Sequence, residues 1–405
     1  MNVIFLTLFD IRTYSEHNIY CDLLREFEKN GHNVYCVSPI ERRFKTKTHL
    51  EENGRLLKLK IGNTQKTNII EKGISTLLIQ GQFVKAIKKY FRGVKFDLVL
   101  YSTPPITLGK AVKFIKKRDN AKSYLMLKDI FPQNAVDLGM MHKTGLKSVL
   151  YKYFRKKEEK LYKMSDKIGC MSPANVDFLL KHNSYLDKEK VEICPNAIEV
   201  RDVSLTETQV KEMRIKYDIP LNKKVFVYGG NLGKPQGVDF IIDSIKTQLD
   251  NDSVYFLIVG DGTHFAKINE FIEIEKPQNV KLLKRLPRDD YERMISACDV
   301  GMIYLDSRFT IPNFPSRLLS YLQAKKPVLA CTDKNTDIGN IIVDNGFGWW
   351  CESNDIKAFE ECIEKVACSN LIDMGEKGYD FLIENYTSEK AYKIIEDFLN
   401  ESFAN

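Results

Sequence analysis

Three short segments in the second half of the chain carry residue types suited to holding a phosphorylated ligand. The first, Val227-Tyr228-Gly229-Gly230-Asn231-Leu232-Gly233-Lys234-Pro235-Gln236-Gly237, sets glycines around a single lysine. Glycine lets backbone approach a ligand closely, and Lys234 can neutralise phosphate charge. The second, Ile258-Val259-Gly260-Asp261-Gly262, is an apolar run ending in a tight turn. The third is IPNFPSRLLSYLQAKKPVLAC, from Ile311 to Cys331. Its Pro/Asn loop opens a helix expected from about Ser316, with Leu318, Leu319 and Leu322 at helical spacing, and a buried-strand run follows at Pro327–Ala330. A helix start of this kind leaves backbone N–H groups unpaired, and a diphosphate is a natural occupant. One such turn is commonly a plain tight turn. Three at the ends of successive strand-like runs point together to a nucleotide-type ligand.

The first half offers fewer such residues. Asp129 ends a strand-like run before Phe131-Pro132, and reads equally as a carboxylate beside a bound hydroxyl or as a turn or N-cap residue. Asp10, Arg12, His17 and Asn18 follow the first strand and could line the same edge, although a lone histidine at a helix start is more often structural. Asp261 reads as a turn former, and Glu158 and Glu159 as solvated. The six histidines form no H-x-x-x-H pair and the nine cysteines no C-x-x-C pair. No metal site, no metal dependence and no other cofactor is therefore expected, and the thiols read as reduced and mostly buried in a cytoplasmic protein.

These residues need elements to position them, and strand-like and helix-like runs alternate throughout. Asn2–Leu8, Asn33–Ser38, Leu56–Ile61, Phe96–Tyr101, Lys122–Leu127, Lys167–Met171 and Val191–Cys194 read as strands. A helix is expected over Ser15–Asn30, stopped by Gly31. Another lies within Thr67–Phe91, where Gly73 and Gly81 weaken continuity. Ser172-Pro173 marks a further helix start, while Glu41–Asn53 reads as a polar, basic loop. After a polar connection over 197–223 containing one helix, the second half repeats the alternation. Its strands are expected at Val225–Tyr228, Tyr255–Val259, Val280–Leu283, Val300–Tyr304, Val328–Cys331 and Gly348–Trp350. This is the pattern of an α/β chain with two doubly wound parallel-sheet domains. Ligands of such sheets sit beyond the carboxyl ends of the strands. Two domains facing across a cleft would each hold one substrate.

Charge divides along the same line. The net charge is +7. Residues 1–200 hold 36 Lys and Arg against 21 Asp and Glu, a net of +15, which leaves −8 for the rest. Such asymmetry suits an anionic partner for the first half, and solvated lysine surface is the plainer explanation. The densest stretch, Lys143–Lys163, mixes Lys and Arg with Leu146, Val149, Leu150, Tyr153, Phe154, Leu161 and Tyr162. A basic amphipathic helix of this composition can lie on an anionic membrane, or be a core-packed helix with a charged outer face. No nucleic-acid-binding pattern accompanies the charge, and no apolar run reaches the ~18 residues of a membrane span.

The second-half motifs GGNLGKPQGVDFIIDSI, FLIVGDG, NVKLLKRLPRDDYERMISACDVGMIYL and PSRLLSYLQAKKPVLA fall in order across residues 225–350. EICPNAIE at 192–199 and LKDIFPQNAVDLGMM at 127–141 precede them. Together they resemble the GT-B glycosyltransferases, specifically the retaining family 4 type of bacterial envelope polysaccharide synthesis. The resemblance implies two Rossmann-like domains. Residues 1–198 would bind the acceptor, 199–385 the nucleotide-sugar, and a C-terminal helix in 386–405 would pack back on the first domain. Gly230, Asn231 and Lys234 would lie by the donor diphosphate, Gly260 and Gly262 along the nucleotide, and Lys284, Arg285 and Leu286 near the base. The loop at Pro315, Ser316 and Arg317 would place backbone N–H groups and a guanidinium at the phosphates, and Asn313 and Phe314 would be substrate-binding as well. The chain departs from the family where two glutamates often stand eight residues apart. It has Pro312 and Ser320 there, and Ser320 could still bond a ribose hydroxyl.

The expected activity is transfer of a hexosyl or N-acetylhexosaminyl group, with retention, from a nucleotide-sugar to a saccharide acceptor. The nucleotide would be UDP rather than GDP, and the acceptor lipid-diphosphate-linked, at the inner face of the cell membrane. Lys234 and Arg317 would stabilise the departing diphosphate, and Asp129 would stand by the acceptor. The lost glutamates leave open a non-catalytic relative that supports a partner enzyme. A transferase with a protein acceptor, or a sugar-nucleotide epimerase on the same fold, would also suit these residues.

Overall fold

The computed structural model describes residues 1–64, 67–145 and 147–404, so Leu146 lies outside the described residues. Two compact units divide the chain: Met1–Glu199 with Ser388–Asn405, and Val200–Thr387.

In the first unit the apolar runs form strands β1 (Asn2–Leu6), β2 (Asn33–Glu41), β3 (His49–Glu51), β4 (Leu56–Ile61), β5 (Leu98–Ser102), β6 (Lys122–Leu127), β7 (Lys167–Cys170) and β8 (Val191–Ile193). They make one sheet in the order β3-β4-β2-β1-β5-β6-β7-β8, parallel except where β3 meets β4. Val3–Leu6 and Leu98–Tyr101 are almost wholly buried, as befits strands covered by helices on both faces. The chain winds outward in one direction from β1 and in the other from β5. The switch point therefore lies between them, with Asp10 and Arg12 just past β1. The last helix, Ser388–Ala404, lies against the helix Ile19–Lys29, where Tyr392 meets Phe27 edge-on at 4.9 Å. Its Phe398 packs on Tyr124 of β6, at 5.7 Å.

The second unit holds β9 (Lys224–Asn231), β10 (Val254–Asp261), β11 (Val280–Lys284), β12 (Val300–Tyr304), β13 (Val328–Thr332) and β14 (Gly348–Glu352). Their order is β11-β10-β9-β12-β13-β14, parallel in each pairing. Here the switch point falls between β9 and β12.

The structure departs from the sequence reading in three places. The helix Ile69–Tyr90 runs unbroken through Gly73 and Gly81. Ile79, Phe83 and Ile87 bury one stripe of it, and both glycines face open space, so neither has a packing partner to lose. Asn68 caps its start by accepting from Glu71 N–H, a bond worth about 1 kcal/mol. The expected loop at Glu41–Asn53 contains β3, which is too short and too charged to show a period. Glu158, expected in solvent, is only 3% exposed. It is held by Arg155 Nη1 at 2.5 Å and by the Tyr162 hydroxyl at 2.7 Å.

Two glycine substitutions should separate crowded from open positions. A Cβ on Gly260 would lie 2.1 Å from the Gly230 carbonyl oxygen, whereas one on Gly73 meets nothing within 4 Å. Gly260→Ala should cost about 2 kcal/mol or more, read from urea unfolding midpoints. Gly73→Ala should be neutral or stabilising by up to about 1 kcal/mol in the same measurement.

Candidate functional site

The strongest constellation stands at the carboxyl end of β9. The parallel pairing of β9 with β10 continues to Gly260↔Gly230 and Asp261↔Asn231. The β9 backbone therefore presses on β10, and a Cβ on Gly262 would lie 2.4 Å from the Leu232 carbonyl oxygen. Gly260 and Gly262, expected along a nucleotide, thus have a packing reason to be glycine. Gly229 is glycine because the Tyr291 hydroxyl fills the place of its side chain. Gly230 has φ +137°, and the nearest atom to a Cβ there would be Arg317 Nη2, at 3.2 Å.

Arg317 starts the helix Arg317–Gln323, and its guanidinium lies over the Tyr228 ring, 4.5 Å from the centroid. Stacking of this kind is worth about 0.5–2 kcal/mol and fixes the plane of the cation. Tyr321 holds the neighbouring backbone: its hydroxyl donates towards Met302 O (3.0 Å) or Val227 O (3.2 Å) and accepts from Gly229 N–H at 3.3 Å. Among the described residues Arg317 has no acidic partner, and its Nη1 is buried without an acceptor. Four residues earlier Asn313 Nδ2 is likewise buried and unpaired. Two donors shut from water without acceptors are costly.

The turn after β9 is held by its own side chains. Asn231 Nδ2 donates to Gln236 Oε1 at 3.0 Å, and the same oxygen accepts from Gly233 N–H at 3.2 Å. Asn231 therefore shapes the loop that presents Lys234. Lys234 is half-buried and, among the described residues, makes no ion pair; its charge acts on Asp306 just past β12. Burial works to raise the Asp306 carboxyl, but bonds from Arg308, with Lys234 contributing, hold it below its ordinary range. Asp306 N–H also bonds Pro235 O at 2.9 Å, joining the two loops across the switch point.

The other candidates of this unit are spread more widely. Phe314 is buried against Tyr386 at 5.9 Å and anchors the loop rather than facing a ligand. Pro315 and Ser320 are half-buried, Ser316 is exposed and Pro312 is buried. Lys284, the last residue of β11, and Arg285 just past it are exposed, and Leu286 is half-buried. Sequence reasoning missed the tyrosines Tyr228, Tyr291 and Tyr321, since core aromatics carry no positional signal. It also missed Asp333, after β13. That carboxylate accepts from Asn335 N–H at 2.9 Å and Thr336 N–H at 3.1 Å, and burial pushes it up to about 6. Thr336 in turn donates to Asn313 O at 2.5 Å and braces the loop.

In the first unit Asp129 follows β6. Its two oxygens accept from Asn134 Nδ2 at 2.9 and 2.8 Å, and its backbone is tied to Thr103 Oγ1. Burial pushes its carboxyl up to about 7, against the bonds from Ile130 N–H and Asn134 that favour the charge. It is the titratable carboxyl at this edge poised near neutrality. The candidates after β1 have structural work instead. Asp10 neutralises the buried Lys58 at 2.5 Å, and Asn18 caps the helix Ile19–Lys29. His17 lies with Asp22 and Glu199 around Arg25, which donates to Asp22 Oδ1 at 2.5 Å and Glu199 Oε2 at 2.7 Å. Those three groups are close enough to share a metal ion, but the guanidinium already supplies the cation. Arg12 is exposed.

The model of the glycosyl transferases group 1 family matches residues 209–381. The probable glycosyltransferase WbjE of Pseudomonas aeruginosa is 25% identical over 349 residues, covering 85% of this chain and 84% of the relative. The putative colanic acid biosynthesis glycosyl transferase WcaI of Escherichia coli is 21% identical over 280 residues, 66% of each chain. Among solved structures, sucrose-phosphate synthase from Thermosynechococcus elongatus superposes with TM-score 0.78 at 13% identity over 100% of both chains. Anabaena Alr3699/HepE in complex with UDP gives TM-score 0.68 at 14% identity over 99% of this chain and 100% of that one. The fold is thus the GT-B type, with two Rossmann-like parallel-sheet domains.

The raised Asp129 carboxyl has a consequence for stability. A carboxyl whose pKa rises on folding binds more protons folded than unfolded, so its contribution is full below the unfolded value of 3.8 and is lost as pH rises through about 7. Asp129→Asn should therefore gain stability relative to wild type between pH 5 and pH 8, by on the order of 1–3 kcal/mol. Urea midpoints at the two pH values measure it, and an unchanged difference would remove the case for a titrating Asp129.

Proposed function

We propose, from the premise that residues 209–381 are a glycosyl transferases group 1 domain, that this glycosyltransferase moves a sugar from a UDP-linked donor to a saccharide acceptor. The observation that carries the reading is the pair of buried, unpaired donors, Asn313 Nδ2 in the loop before the helix Arg317–Gln323 and Arg317 Nη1 at its start, the Arg317 guanidinium lying beside Gly230. The UDP-bound fold neighbour supports the choice of nucleotide.

In this reading the donor diphosphate lies over the end of β9. Arg317 and Asn313 donate to its oxygens, and Lys234 adds a second positive charge from the adjacent loop. Transfer breaks the bond between the anomeric carbon and the diphosphate oxygen and forms one to the acceptor oxygen, whose proton passes to the departing diphosphate. Negative charge grows on the departing diphosphate, and fixed cations in a site shielded from water lower the barrier. Arg317 suits this role, since stacking on Tyr228 has already fixed its orientation. With retention of configuration, no base on the far face of the sugar is required. Lys284, Arg285 and Leu286 would lie towards the base, and Ser320 near the ribose.

The acceptor falls to the first unit, with Asp129 as the carboxyl that receives a hydrogen bond from its hydroxyl. We take that acceptor to be a lipid-diphosphate-linked saccharide in capsule- or O-antigen-type polysaccharide synthesis, at the inner face of the cell membrane. The relative named for colanic acid biosynthesis supports a polysaccharide product. The basic first unit supports an anionic acceptor. The transferred group would be a hexosyl or N-acetylhexosaminyl unit, with no metal required.

Isothermal titration with UDP tests the donor site. Arg317→Ala and, separately, Lys234→Ala should each weaken UDP binding by about tenfold or more, or roughly 1.4 kcal/mol. Asn313→Ala should cost less. Wild-type affinity in all three folded variants would sink this placement of the diphosphate, and tighter binding of GDP than UDP would overturn the nucleotide.

A further inference from the structure

Three helices of the first unit stand side by side: Ile69–Tyr90, Gly109–Asp119 and Ser148–Met164. They belong to connections that all advance the same way along the sheet, from β4 to β5, β5 to β6 and β6 to β7. Right-handed crossovers therefore put them on one face of it. Between the second and third lies an open groove of about 1150 Å³, lined by eight lysines against three acidic side chains. Lys110, Lys113 and Lys117 form one stripe at helical spacing, and Lys157, Lys160 and Lys163 form the facing one. The floor lysines are held: Lys116 bonds Met164 O and Asp166 at 2.7 Å each, and Lys190 bonds Lys163 O at 2.9 Å. Among the described residues, Lys110, Lys113, Lys117 and Lys160 make no ion pair.

Exposed apolar side chains accompany these charges in a repeated order. On the helix Ser148–Met164, Leu150 (51% exposed) and Tyr153 share a face with Lys157 and Lys160, three to four residues further on in each step. On the helix Ile69–Tyr90, Ile74, Leu77 and Leu78 are each more than half exposed and share a face with Lys85 and Lys88. Two of the three helices, one on each side of Gly109–Asp119, thus lead with apolar residues and follow with lysines, on the side of the sheet that holds the lysine groove. A soluble polyanion would use the lysines and leave the apolar residues in water. A bilayer with anionic headgroups uses both, by burial at the acyl boundary and by attraction at the phosphates.

We infer that this three-helix face is a docking surface for an anionic lipid bilayer, with headgroup phosphates seated in the lysine groove. The inference rests on the membrane-surface reading above and gives it a location. The face shares no residue with the donor loops at β9, so a defect in one can be told from a defect in the other.

The test is flotation of the full chain with phosphatidylcholine vesicles, with and without phosphatidylglycerol. UDP affinity is measured in parallel on every variant as a check of folding. Wild type should float with the anionic vesicles only, and salt should release it. The triple variant Lys110→Glu, Lys113→Glu, Lys117→Glu should lose at least tenfold in partitioning, since each lysine contributes near the surface. Leu150→Asp with Leu77→Asp should lose severalfold at unchanged UDP affinity. Equal flotation of the variants and wild type, or equal binding to neutral and anionic vesicles, would overturn the assignment. So would binding to soluble polyphosphate with no vesicle binding, which would mark a free-anion site. Failure to float with UDP binding intact removes the docking face and leaves the donor site standing.

Discussion

The second unit depends on one constraint: β9 and β10 stay in parallel register to the very end of β10. Ordinary strands at this point diverge and leave room for side chains. Here the carbonyl oxygens of Gly230 and Leu232 occupy the space that Cβ atoms at 260 and 262 would need. The chain must then turn sharply out of β9, and Gly230 does so at a φ that disfavours other residues. That turn exposes its Cα to Arg317 and leaves Tyr291 to plug the gap over Gly229. The anion binding proposed for the site would therefore come less from glycine giving a ligand access than from glycine letting two strands and an arginine meet. Lys234 inherits its position from the same turn, since Asn231 and Gln236 fix the loop that carries it.

Charge in the first unit is handled differently. Asp22 is 2% exposed, and burial alone drives its carboxyl upward. Arg25 compensates, with two further bonds to Tyr14 O and Glu16 O at 2.6 and 2.7 Å. The same guanidinium and Lys29 hold Glu199 down to about 2. Removing one member of such a network leaves another buried without its counter-charge, which costs more than the pair itself is worth. His17 and Asn18 belong to this framework, and so their polar chemistry is already committed. Burial raises the Asp129 carboxyl, and among its hydrogen-bond partners no cation opposes it.

Legibility followed periodicity. Strands β6 and β12 match the expected bounds, because buried parallel strands are continuous apolar runs bounded by turns. The helix Ile69–Tyr90 was blurred by two glycines whose cost is offset by the burial of Phe83 and its neighbours, a tertiary effect invisible to local propensity. Among the candidate site residues, Lys234 stands out in the sequence as a cation in a glycine-rich turn, and Arg317 through the family resemblance. Tyr228, Tyr291 and Tyr321 do not, since each looks like core until the fold brings it to the arginine. Glu158 misled for the converse reason: a charged residue in a lysine-rich helix reads as surface, and only the fold shows it turned inward to Tyr162.

Positions 312 and 320, where the family resemblance implies carboxylates, carry none in this chain, and that fits the polarity of the rest of the loop. Pro312 is buried and Ser320 offers only a hydroxyl, so neither gives the charge-assisted bond that a glutamate makes to a sugar hydroxyl. The loop presents donors instead, Asn313 Nδ2 and Arg317 Nη1. Donors discriminate in favour of oxygens that carry charge, and a diphosphate has several. Asp333, after β13, faces its own loop's backbone through Asn335 and Thr336. Its Oδ2 is buried and unpaired, so its charge is felt mainly by the loop it braces. That arrangement assigns rigidity to the acid and contact to the cations. Under the proposed reading, a nucleotide would be gripped by its phosphates first and by its ribose second.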